Sequence, residues 1–195
     1  ARKFITNKNN STENYCNNYF NFSKEEQEKI KKVIKRLPDN ELFKNWSFAK
    51  MGTDVENGYP HTHKDTIFLS QYTIDETENR LLYVLAHEQM HVMQRKKPEL
   101  FRLLYTKYYS FKEGKLELSE KYKKRMRSNP DTRYIPENDY IYVNDIDDFV
   151  YLCAVYTDEI PKNLGDVKYI GITLDYDAKN KIYKSSDAVS DIIGL

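Results

Sequence analysis

The chain has 195 residues, with 31 Lys and Arg against 30 Asp and Glu, which is long enough for one sizeable core and short for two ordinary domains. A net charge so close to zero gives no field that would draw it to nucleic acid or an anionic membrane. Its two cysteines, Cys16 and Cys153, lie far apart and outside any Cys-x-x-Cys spacing, which excludes a zinc ribbon and a disulfide-dense scaffold and leaves one disulfide or none.

No apolar run approaches the roughly 20 residues that span a bilayer, and the start Ala-Arg-Lys-Phe has no apolar signal core, so a soluble chain is expected. The initial Ala suggests a processed or truncated start, which leaves a removed signal or anchor, and so secretion, open. Residues 1–22 are rich in Asn, Ser and Thr with scattered Tyr and Phe, and read as an irregular arm pinned by its aromatics over a domain of residues 23–195. Ser23 and Glu26 form a capping-box pair, and Ile30, Val33, Ile34 and Leu37 follow at helical spacing until Pro38. In "HTHKDTIFLS", Ile67 and Leu69 alternate with Thr66, Phe68 and Ser70, which predicts a strand at about 65–70.

Residues 79–95 contain neither Gly nor Pro and carry Leu81, Leu82, Leu85 and Val92, the pattern of a buried helix. Pro98 opens another helix, with Leu100, Phe101, Leu104 and Tyr105 on its apolar side. "KLELSEKYKKRMRS" reads as helical as far as "NPDT", where the residue before Pro130 is pushed out of helical dihedrals. Its basic run, residues 121–127, reads as a solvated helix face. "DYIYV", "FVYLCAVY", "KYIGITLDY" and "KIYK" favour strands, with "DAKN" as a hairpin turn and a short final helix from Ser186.

The chemistry lies in "VLAHEQMHVMQR", residues 84–95. Residues four apart on a helix share a face, so His87 and His91 can direct two imidazoles at one ion. Glu88 stands beside the first histidine, within reach of a metal-activated water without being a ligand, as a general base requires. Zinc lowers the pKa of water toward about 7 and polarises a carbonyl, and this combination hydrolyses amides. A chance His-Glu-x-x-His in a chain with four histidines arises on the order of once in a hundred such sequences. The apolar setting "LLYVLAHEQMHVM" makes an idle cluster costlier still.

With strand "HTHKDTIFLS" followed by helix "LLYVLAHEQMHVMQR", the chain resembles the zincin metallopeptidases, whose active-site helix carries His-Glu-x-x-His beneath an edge strand that binds the substrate backbone. "HTHKDTIFLS", "HEQMHVMQRKKP" and "RSNPDT" together are similar to a group of zinc-peptidase-like sequences from large DNA viruses and microbes. The resemblance covers roughly residues 59–132 and reaches the last 60 residues poorly. It implies an α+β zincin-like fold, a mixed sheet with an active-site helix and additional helices, Zn2+ as cofactor, and a peptide or protein substrate. A catalytically silent zincin-fold module, for instance a virion component, is the alternative. Peptide deformylase also uses the motif, but it needs a cysteine ligand in a Gly-Cys-Leu-Ser setting, which Cys16 in "NYCNNY" does not resemble.

A catalytic zinc needs a third protein ligand and an open position. No histidine follows His91, so the third ligand is expected to be a carboxylate. Asp131 in "NPDT" and Asp187 in "SSDAVSDIIG" are equal candidates, with Glu137 a third. Asp187 with Ser190 resembles the Glu-x-x-Ser/Ala frame of glutamate-type zincins, with a side chain one methylene shorter. His61 reads as a histidine packed at a strand end or bonding its backbone. His63, nearer the expected edge strand, is a candidate for binding substrate or stabilising an oxyanion.

Overall fold

Regular structure begins inside the segment expected to be an irregular arm, where α1 (Thr12–Asn17) is followed by β1 (Tyr19–Phe20). The computed structural model describes residues 12–126, 139–143, 149–156 and 167–190. They divide into two compact units, residues 12–98 and residues 99–190. Tyr15 of α1 pins the arm as its aromatic character suggests, packing edge-on against the rings of Phe68 and His61. The capping box forms as read: the Ser23 hydroxyl accepts from the Glu26 amide at 3.2 Å, and the Glu26 carboxylate accepts from the Ser23 amide at 2.8 Å. Two N–H groups that a helix start leaves unpaired are thereby satisfied, and α2 (Lys24–Ile34) follows.

The first unit is a four-stranded mixed sheet in the order β1-β2-β4-β3, with β2 at Phe48–Met51, β3 at His61–His63 and β4 at Thr66–Ser70. β2 runs parallel to β4, and β3 lies antiparallel to β4 at one edge. The stretch expected to supply one strand at about 65–70 thus supplies two, turned at Lys64, whose φ is 55°. A short helix α3 (Gln71–Asp75) leads into the long α4 (Glu78–Lys96), capped by the Thr77 hydroxyl on the Arg80 amide. Ile67 and Leu69 of β4 meet Ile30 and Val33 of α2 and Leu81, Leu85 and Val92 of α4 in one core cluster. Burial of each such side chain is worth about 1.5–3 kcal/mol, which holds α4 firmly against the sheet.

The second unit takes in α5 (Pro98–Tyr108) from its second residue on and continues as β5 (Phe111–Glu117), α6 (Glu120–Arg125), β6 (Asp139–Val143), β7 (Phe149–Tyr156), β8 (Val167–Asp177) and β9 (Ile182–Ser190). The five strands form a closed barrel. Each strand is antiparallel to the one before it, so closing an odd number brings β5 and β9 together parallel, as observed. A barrel closed on itself encloses its own interior, built around Ile141, Cys153, Val155, Ile172 and Leu174. Chain length alone suggests one core, whereas this closure produces a second. Both cysteines are free, Cys16 exposed and Cys153 buried, where burial pushes its thiol up to about 11.

Two expected helices are corrected. Lys115, Leu116 and Glu117 pair with Ile182, Tyr183 and Lys184, so only the later part of "KLELSEKYKKRMRS" is helical. The final helix expected from Ser186 is instead the end of β9, where Val189 and Ser190 pair with Ile172 and Gly171. In both places ladder pairing within the barrel overrides local propensity. No helix among the described residues is long and apolar enough to cross a membrane.

The expected turn at "DAKN" joins β8 to β9 and is organised by Asp177, whose carboxylate accepts from the backbone amides of Lys179 and Asn180, the Asn180 side-chain amide and the Lys184 ammonium. Hydrogen bonding by the Asn180 side chain is the largest of the causes that hold the Asp177 carboxyl down at about 2. That lies below the ordinary carboxylate value of about 3.9, so folding favours the ionised form. The stability it adds is complete above about pH 4 and is lost as pH falls through about 2. Denaturation of the wild type and Asp177→Asn across this range should show a wild-type advantage at neutral pH that shrinks toward about pH 2 and disappears below it; a difference independent of pH would exclude the carboxylate as its source.

Candidate metal centre

The side chains of α4 sort by depth. Leu81, Leu85 and Val92 are fully buried against the sheet, His87 is exposed, His91 is half-buried, and Glu88 retains only 3% exposure. One turn of a single helix therefore carries two imidazoles toward the surface with a carboxylate on its buried side. His87 Nε2 and His91 Nε2 lie 3.1 Å apart, with their rings at 82°. Two nitrogens about 2.0–2.1 Å from one tetrahedral ion stand roughly 3.3–3.4 Å apart, so this pair is set almost at chelating separation. The donor set suits zinc, which takes neutral imidazole nitrogens readily.

The supports of the pair are spaced along the same helix. His91 Nδ1 lies 2.9 Å from Gln94 Oε1, three residues on. On the other side the ring of Tyr83, four residues back, stacks at 6.3 Å on His87 and itself lies 5.5 Å from the Arg80 guanidinium. Gln89, buried beside Glu88, donates to the Leu42 and Lys44 carbonyls and so pins the 3₁₀ turn Glu41–Phe43 to the helix. Arg95 ties the last turn of α4 to the edge of the sheet, donating to the Thr62 hydroxyl and to the Lys64 carbonyl, each at 2.7 Å. Sequence reading passes over Gln94, Tyr83 and Arg95, although the helical spacing of the first two from the histidines is a usable signal.

The other expected residues are placed as follows. His61 is buried, with Nδ1 3.0 Å from the Tyr59 carbonyl, Nε2 3.0 Å from the Tyr15 hydroxyl and its ring stacked on Phe68 at 5.0 Å, the backbone-bonded arrangement expected of it. Thr62 is the β3 residue that meets α4 through Arg95, so strand alternation places His61 and His63 on the opposite face. Asp131 and Glu137 lie outside the described residues. The backbone of Asp187 is described and lies in β9, so the helical frame expected around it is absent, while its side chain lies outside the described residues. Among the described residues, no third His, Cys, Asp or Glu joins His87 and His91 in a metal-holding group.

No family model, curated protein or solved structure matches the chain.

Proposed function

We propose that the chain is a zinc-dependent peptidase, with a zincin-like unit in which His87 and His91 hold the metal and Glu88 is the general base. The observation that carries this reading is the convergence of the two Nε2 atoms to 3.1 Å on a helix that carries a buried carboxylate beside the first histidine. The placement of β3 at the edge of the sheet, joined to α4 through Arg95, supports it further. An outer strand of this kind offers backbone N–H and C=O groups with which an extended peptide can pair. A bound zinc supplies a Lewis acid and brings water toward a pKa of about 7. Glu88 accepts the proton of the attacking water and returns it to the leaving nitrogen as the amide bond breaks. Its buried position keeps it out of bulk water.

Metal analysis tests the proposal. The full chain, expressed with ample zinc, should purify with about one zinc per molecule, and a zinc-free product would contradict it. Asp131→Ala, Glu137→Ala and Asp187→Ala should differ in zinc retention. The variant that loses the metal identifies the third ligand; equal retention in all three removes every carboxylate named here.

A further inference from the structure

We infer that Gln94 is a positioning residue that holds His91 in the Nδ1–H tautomer, leaving the bare Nε2 lone pair facing His87. The inference rests on the metal reading above and adds the means by which the pair is made ready for the ion. An amide oxygen can only accept a hydrogen bond, so the 2.9 Å contact between Gln94 Oε1 and His91 Nδ1 requires the proton on Nδ1. A neutral imidazole carries one ring proton, and with that proton on Nδ1 the other nitrogen is left as a ligand atom. The opposite amide orientation would present N–H to Nδ1, place the ring proton on Nε2 and block coordination. Gln94 lies three residues after His91, on the neighbouring turn, so helix geometry sets the contact without loop rearrangement.

The tautomer of His91 determines that of its partner. With His91 Nε2 bare, the 3.1 Å contact between the two histidines needs its proton from His87 Nε2 in the metal-free chain. The helix then presents one acceptor nitrogen fixed by Gln94 and a second that changes role when metal arrives. A glutamine performs this orientation without adding negative charge beside the site, whereas a glutamate at the same place would accept the same hydrogen bond more strongly.

Two readouts test the inference on the full chain. The first is long-range ¹⁵N–¹H correlation of the metal-free protein at about pH 8, above the ordinary imidazole pKa of about 6.5. It should show His91 as the Nδ1–H tautomer in the wild type and in Gln94→Glu, and a shift away from it in Gln94→Leu. The second is zinc affinity by competition with a chromophoric chelator. Gln94→Leu should bind zinc about 10–100-fold more weakly, the usual loss for an outer partner of a ligating histidine, and Gln94→Glu should match the wild type or exceed it. An Nε2–H tautomer in the wild type, or equal zinc affinity in Gln94→Leu, overturns the inference while leaving the metal reading in place. A wild type that shows the Nδ1–H tautomer yet binds no zinc removes the metal reading and keeps the hydrogen bond.

Discussion

Glu88→Gln should yield a folded chain that still holds zinc and hydrolyses peptides about 10²–10⁴-fold more slowly than the wild type, or worse. Glutamine matches glutamate in shape and fills the same space at this buried position of α4, so the fold should be preserved. What is removed is the carboxylate, the group able to take a proton from water at that position. Substrate binding should change little, so the loss falls on kcat rather than KM. The outcome also distinguishes base from ligand, because a carboxylate that coordinated the metal would lose zinc on conversion to the amide. A catalytically silent module would show no hydrolysis in either form, and a variant as fast as the wild type would remove Glu88 from the mechanism.

His87→Ala and His91→Ala should each release zinc and abolish hydrolysis, with a weakening of affinity beyond the 10–100-fold that a lost outer partner typically costs. Stability should move much less. His87 is exposed and His91 half-buried, and neither belongs to the cluster that anchors α4. Substitutions outside such a core usually change folding by about 0.5 kcal/mol or less. Zinc titration beside thermal unfolding of the metal-free variants separates the two effects. Retention of zinc by either variant at wild-type affinity would contradict the assignment of that histidine.

The parts of this protein that local rules govern were legible in its residues. The Ser23–Glu26 box, the alternation of Ile67 and Leu69, and the unbroken run of residues 79–95 each imply their element through one physical constraint, and each element forms. The i, i+4 spacing of His87 and His91 likewise contains the convergence of their Nε2 atoms, since helix geometry alone brings such side chains together. Elements set by distant partners were not legible. Lys115–Glu117 are a strand because β9 lies beside them, and no window of sequence around that segment contains that partner; the residues after Ser186 instead continue the β8–β9 hairpin beyond the alternating stretch "KIYK". The same limit applies to the third ligand. Two imidazoles come from one helix, whereas a carboxylate 40 or 96 residues away would reach a metal there only through tertiary structure, and neither spacing nor propensity ranks Asp131 against Asp187.

Digestion of a broad peptide library by the full chain, zinc-loaded and zinc-stripped in parallel, with products read by mass spectrometry, is the most direct test that this is a zinc peptidase. The zinc-loaded chain should generate new termini that vanish when a chelator removes the metal and return when zinc is restored. A zinc-loaded chain that cleaves nothing, or cleavage that persists unchanged without metal, would contradict the account.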